Sequence, residues 1–246
     1  MTDAYRFDES STEQAIAYAK IYAGENYSPA VESVRKVAFS EKRNLPTFRL
    51  KSSDTILLSG YMKKWVGAYL AGYNNRPSVR TGNCSGTHPD PMAKTILRAR
   101  ISGLEDNLAD KIVARHSLLM TIENNIGELL EEYLSVKLSP LGWYCCWGST
   151  IDAVDFCKAD GSLLQIKTSD NSENSSSSRV RQGTPIGKWF RRFSRRPGVY
   201  NWESLNGMLG RPGYVSESDF RAFAEKTIAA NPACIYIAAN HLLNRP

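Results

Sequence analysis

IDAVDFCKADGSLLQIK, residues 151–167, decides how the chain is read. Two short apolar runs, Val154-Asp155-Phe156 and Leu163 to Lys167, flank Lys158-Ala159-Asp160-Gly161. Asp-Gly between apolar runs signals a β-hairpin, because glycine accepts the positive φ of a tight turn. Asp155 then falls near the end of one strand. Gln165 and Lys167 sit two apart on the next and share a face. A carboxylate, an amide oxygen and an ammonium on one patch of sheet make a seat for a divalent cation and an activated water. A wet sheet face alone would give the same spacing, so the flanking sequence has to weigh between the two readings.

The chain has 246 residues, enough for one large domain or two small ones, and 42% of them are apolar, enough for a sizeable core. A net charge of +6 favours a polyanionic partner. No apolar run approaches the roughly 18 residues that span a bilayer. The first residues, MTDAYRFDESSTEQ, are acidic and polar, unlike a signal peptide. Five cysteines, an odd number with no C-x-x-C spacing, read as reduced thiols of a cytoplasmic protein. His88, His116 and His241 lie far apart and outside any zinc-binding pattern, so core or surface roles are expected for them.

Upstream of the hairpin the pattern is helical. Ser11-x-x-Gln14 forms a capping box before Ala15 to Tyr22, and Ser28-Pro29 opens Ala30 to Phe39. Asp54 can cap Thr55 to Tyr73, with Tyr61, Trp65 and Tyr69 near one stripe. Val79 to Pro91 reads as a loop, either solvated or touching a phosphate backbone. Met92 to Ile101 is a further helix. From Leu108 to Leu138 apolar residues recur at three and four, as one long helix or two joined near Asn124-Asn125. Glu123, Glu128, Glu131 and Glu132 decorate it, and a helix laid over a small sheet would bring Glu128 over the edge where Asp155 sits. Trp143 to Trp147 reads as a first strand. Residues 1–115 are thus a helical region, for dimerisation or for clamping a partner, and 116–246 a core with a small mixed sheet flanked by helices: an α/β (α+β) fold.

After Lys167 the composition changes. Between Asn174 and Trp202 there is no acidic residue, while Arg179, Arg181, Lys188, Arg191, Arg192, Arg195 and Arg196 carry seven positive charges, so the remaining residues are close to neutral. Trp189, Phe190, Phe193, Tyr200 and Trp202 are interleaved. Arginine among small hydroxyl and amide side chains suits a DNA-contacting surface: the cations neutralise phosphates, and Arg, Asn and Ser can read base edges. The candidate contacts are Asn171, Asn174, Ser175, Ser176, Ser177, Ser178, Arg179, Arg181, Lys188, Arg191 and Arg192. A disordered Ser/Arg linker is the plainer reading, but it would leave the aromatics poorly placed. Ser216-x-x-Asp219 caps a last helix, Phe220 to Ala230, and Cys234 to Ala239 reads as a buried strand closing the sheet edge.

Asp155, nine intervening residues, Gln165-Ile166-Lys167 and an upstream helical Glu128 together resemble the PD-(D/E)xK nuclease core. LLQIKTSDNSENSSSSRVRQGTPIGKWFRR, followed by Asn201-Trp202 and a late SESDF helix, resembles more narrowly the SinI family of type II restriction endonucleases. The resemblance is strongest from Glu128 to Trp202. It implies a Mg2+-dependent endonuclease that cuts double-stranded DNA at a short palindrome, GGWCC or a close relative, as a homodimer. It further implies that Asp155, Gln165 and Glu128 hold the metal and that Lys167 activates or orients the water. Gln165 departs from the family pattern, which has an acid there. Either the metal is held more weakly, or Glu128 or Asp152 supplies the missing carboxylate. Two other functions fit the same residues: a specific DNA-binding protein with a degenerate core, and a repair or recombination nuclease.

Overall fold

A computed structural model describes residues 12–48, 57–83, 89–171 and 186–237. Helices α1 (Thr12–Ala23), α2 (Pro29–Ala38) and α3 (Leu58–Asn74) come first, then α4 (Pro91–Arg100) and α5 (Asp106–Leu138). Strands β1 (Trp143–Cys145), β2 (Phe156–Lys158), β3 (Leu163–Ser169) and β4 (Ile186–Arg192) follow, and α6 (Trp202–Leu209) and α7 (Glu217–Ala230) complete the described chain. The strands form one mixed sheet in the order β1-β2-β3-β4, with β3 and β4 parallel and the other pairs antiparallel. This is the α+β architecture expected.

Local chemistry accounts for several element ends. Ser28 Oγ accepts a hydrogen bond from Val31 N at 3.3 Å, and Pro29 occupies the first turn of α2. Asp90 caps α4 in the same way through Met92 N at 2.8 Å. The two expected capping residues Ser11 and Asp54 lie outside the described residues. α5 is a single helix of 33 residues. At Asn125, where a break was one alternative, the side-chain amide donates to Thr121 O at 2.8 Å along the helix, so α5 continues. Glycine ends it: after a 3-10 turn at Ser139–Leu141, Gly142 takes φ 76°.

The 151–167 hairpin forms as read. Gly161 has φ 91°, Lys158 N donates to Ser162 O at 2.9 Å, and Asp160 Oδ1 accepts from Ser162 N at 2.9 Å. β1 is shorter than expected. It stops at Cys145, and Trp147–Ser149 turns as a 3-10 segment with Gly148 at φ 68°. The reason is α3: a Cβ on Gly148 would lie 2.0 Å from Ala68 O, so the chain must bend sharply there and only glycine fits.

The C-terminal expectation is corrected. Cys234 to Ile237 forms no strand and does not join the sheet; Pro232–Cys234 is a 3-10 turn, and residues 238 onward lie outside the description. Ala233 O accepts from Gly82 N at 2.7 Å, which ties this segment to the loop after α3. Tyr236 and Ile237 are exposed.

One apolar core runs through α1–α3, the second half of α5, the sheet, α6 and α7. Trp65, Leu130, Tyr133, Phe156, Trp189 and Leu205 are among its fully buried side chains. Trp65 Nε1 donates to Thr150 O at 2.9 Å, so its one polar group is satisfied. The boundary expected between residues 115 and 116 falls inside α5, and the N-terminal helices share this core. No described helix is long and apolar enough to cross a membrane.

Candidate active site

The backbone of Asp155 is held in the sheet although the residue lies just before β2. Its N–H donates to Leu164 O at 3.1 Å and its carbonyl accepts from Cys146 N at 2.8 Å. β2 and β3 pair Phe156 with Leu164 and Cys157 with Leu163, so one step further Asp155 falls opposite Gln165. Asp155 Oδ2 accepts from Ile166 N at 2.7 Å. Gln165 Nε2 donates to Ala153 O at 3.2 Å, so any ligand this side chain offers a cation is its amide oxygen. Lys167 lies on the Gln165 face, and its ammonium pulls the Asp155 carboxyl downward. The structure therefore brings Asp155, Gln165 and Lys167 together on one patch.

Glu128 is placed differently. Arg80 holds it in an ion pair and also donates to Asn125 Oδ1 at 2.6 Å. Ser78 in the same loop holds a further acid of α5, with Ser78 N donating to Glu132 Oε2 at 3.0 Å. The acid whose charge meets that of Asp155 is Glu131, three residues on. α5 lies over β3 at Gly127, where a Cβ would be in ordinary van der Waals contact with Thr168 Cγ2 at 3.7 Å. Sequence reading had named Glu131 only as helix decoration. The available signal was its phase: Glu131 flanks Leu130 and Leu134, both fully buried, and so must sit at the margin of the helix–sheet contact. Asp152 donates its N–H to Asn44 O at 3.0 Å.

Burial pushes the Asp155 carboxyl up to about 6, against the Ile166 N–H bond and Lys167. Burial, then the charges of Asp155 and Glu128, push Glu131 up to about 8. Two carboxyls raised together mark a place short of positive charge. The donor set of two carboxylates and an amide oxygen is hard and oxygen-only, which fits a small divalent cation. Among the described residues no three His, Cys, Asp or Glu side chains gather closely enough to hold a metal by themselves, so the amide of Gln165 has to count as a donor.

β4 flanks this patch. Gln165 pairs with Lys188, Lys167 with Phe190 and Ser169 with Arg192, so Lys188 and Arg192 share the face of the candidate site, and both are exposed. Arg191 points the other way, which corrects its reading as a surface contact. It is 7% exposed, bonds both carboxylate oxygens of Glu217 at 2.8 Å, and lies 5.4 and 5.3 Å from the ring centroids of Tyr200 and Phe220. The alternation of β4 puts it beside Trp189 in the interior. Asn171 is exposed at the end of β3. Asn174, Ser175, Ser176, Ser177, Ser178, Arg179 and Arg181 lie outside the described residues. A cavity of about 570 Å3 lined by α2, α3, the C-terminal end of α5 and β1 includes none of the candidate site residues. The described cysteines, Cys145, Cys146, Cys157 and Cys234, are free and buried.

Residues 59–230 match the family model described as SinI restriction endonuclease, a span that takes in α3, all four strands and α7. The chain belongs to the SinI restriction endonuclease family. The match reaches about seventy residues further upstream than the Glu128–Trp202 stretch that carried the resemblance in sequence. The type II restriction enzyme SinI of Salmonella infantis is 44% identical over 144 residues, covering 56% of this chain and 61% of that protein. The type II restriction enzyme Eco47I of Escherichia coli is 41% identical over 144 residues with the same coverage. The chain thus spans about three fifths of the length of these curated relatives in the SinI family.

Proposed function

We propose that the chain is a type II restriction endonuclease that hydrolyses phosphodiester bonds of duplex DNA at a short palindrome in the presence of Mg2+, acting as a homodimer in the cytoplasm. Its target by family resemblance is GGWCC or a close relative. The reading rests on one observation: Asp155, Gln165 and Lys167 share a face, with Glu131 close enough for the charge of Asp155 to act on it.

Asp155, the Gln165 oxygen and Glu131 would hold the cation. Glu131 takes the place first given to Glu128, which Arg80 already neutralises. A bound divalent ion supplies Lewis acidity toward the scissile phosphate and charge opposite the pentacoordinate transition state. Lys167 holds the attacking water in line and adds its own charge at the phosphate. The Ile166 N–H keeps the Asp155 carboxylate turned toward β3. Lys188 and Arg192 hold phosphates beside the site, with Asn171 and the described end of β3 leading into the serine- and arginine-rich segment that reads bases.

Plasmid carrying GGWCC sites, incubated with protein and Mg2+, should give discrete fragments whose sequenced ends share one site. Lys167→Ala should abolish cutting and keep specific binding. A smear, or no cleavage across varied sequences, refutes the reading. Gln165 favours one alternative, a specific DNA-binding protein with a degenerate core. On that alternative binding is indifferent to Mg2+ and no nicks form.

A further inference from the structure

Glu128 is held by a residue from another part of the chain. Arg80, in the loop after α3, pairs with it, and the same Nη2 donates to Asn125 Oδ1 at 2.6 Å. Asn125 is buried and fixed in turn, with its own amide on Thr121 O. Glu128 stands three residues from Asn125 and three from Glu131, so its carboxylate can turn to either neighbour. Sharing one nitrogen with Asn125 turns it to the Asn125 side, away from Glu131. The loop that carries Arg80 is tied on both flanks. Ser78 N donates to Glu132 Oε2 at 3.0 Å. Asn231, directly after α7, donates Nδ2 to Pro77 O at 2.9 Å and to Arg80 O at 2.8 Å. Gly82 N donates to Ala233 O at 2.7 Å, and a Cβ on Gly82 would lie 2.5 Å from Cys234 O. Arg80 therefore meets α5 from a fixed backbone, and its side chain is 12% exposed against 43% for Glu128. Burying a guanidinium to pair with a half-exposed acid adds little stability, because its desolvation offsets the attraction. What the pair does fix is where the Glu128 charge points.

We propose that Arg80 is a positioning residue for the candidate active site: it holds Glu128 toward Asn125 and so keeps a third carboxylate off the cation, leaving Glu131 as the ligand from α5. The inference rests on the metal reading of that site. Without Arg80, Glu128 would join Asp155 and Glu131 around one divalent ion. Three carboxylates more than cancel the charge of such an ion, and a neutralised ion draws less on the scissile phosphate. The added negative charge also repels the phosphate itself. Arg80 thus lowers the affinity of the site for the cation and raises its reactivity, and it does so through Glu128 alone.

The test is a charge cycle on the full chain, read by titrating Mn2+ and following it by electron paramagnetic resonance. Mn2+ stands in for Mg2+ because both take oxygen ligands. Arg80→Gln should bind Mn2+ at least about threefold more tightly than the wild type, since a repelling charge is lost and a carboxylate freed. Glu128→Gln leaves the Arg80 charge unopposed and should bind at least about threefold more weakly. The double variant, Arg80→Gln with Glu128→Gln, should return to within about twofold of the wild type. Plasmid cleavage by Arg80→Gln should fall while its affinity for the ion rises, and the double variant should recover it; a site that is merely distorted gives no such split. Circular dichroism checks that each variant is folded. Should Arg80→Gln fail to fold, the double variant set against Glu128→Gln decides alone. Weaker or unchanged binding by Arg80→Gln overturns the inference. So does a double variant that binds as weakly as Glu128→Gln, which would make Glu128 itself a ligand. A wild type that binds no Mn2+ overturns the metal reading of the site and this inference with it, whereas bound Mn2+ in any other order of affinities overturns this inference alone.

Discussion

Asp155 and Glu131 are raised acids, and that makes the candidate site a cost to the fold. A carboxyl whose folded pKa lies above its ordinary value stays protonated in the fold at a pH where the unfolded chain has already ionised. Stability is then full below about pH 4 and falls as pH rises through about 6 for Asp155 and about 8 for Glu131. The metal-free protein should lose several degrees of melting temperature between about pH 5 and pH 8.5 on this account. Asp155→Asn and Glu131→Gln should each flatten that slope, and Mg2+ should restore stability most at the alkaline end, where both groups are ionised. Melting curves across pH, with and without Mg2+, check all three. Cleavage should rise over the same window. A slope unchanged in Glu131→Gln would remove Glu131 from the site. At this scale the sequence placed Asp155, Gln165 and Lys167 correctly relative to one another, because strand alternation is strict. It did not separate Glu131 from Glu128, because the two stand three residues apart on one helix and Arg80, 48 positions upstream, chooses between them.

Within β4 neighbouring arginines have opposite fates. Arg191→Ala should cost about 1–3 kcal/mol in chemical denaturation, because Glu217 loses its buried partner and keeps only the exposed Arg221 and the Trp202 indole N–H. Arg192→Ala and Lys188→Ala should leave stability within about 0.5 kcal/mol and lower the salt dependence of DNA binding by about one charge each. Equal effects of Arg191→Ala and Arg192→Ala on stability would contradict the strand assignment. The contact between α3 and the turn after β1 gives a second contrast. Gly148→Ala forces a Cβ into Ala68 O at a positive φ and should cost at least about 2 kcal/mol. Gly67→Ala, on the open side of the same helix, should stabilise by about 0.5–1 kcal/mol. The basic residues of β4 read as tail rather than strand because a parallel neighbour is joined by no tight turn and leaves no local signature.

For the whole molecule, Lys188 and Arg192 bring part of the positive charge concentrated between residues 174 and 202 to the face of the candidate site. DNA affinity should therefore fall steeply with salt for the wild type and for Asp155→Asn alike, since phosphate contacts and metal ligation use different side chains. Filter binding at several salt concentrations separates the two. A shallower slope in Asp155→Asn would mean that cation and phosphates share one set of contacts.

The sequence by itself determined the course of the helices, the caps at Ser28 and Ser216, the Asp-Gly hairpin and the face shared by Asp155, Gln165 and Lys167. Each of these depends on neighbours within four residues or on strand alternation, and such signals are local. Only the tertiary structure decided that Glu131 meets Asp155, that Arg191 belongs to Glu217 and that the C-terminal apolar run stays off the sheet. Those outcomes depend on which distant side chain reaches a charge or an apolar face first, and that is set by how α5 lies on the sheet.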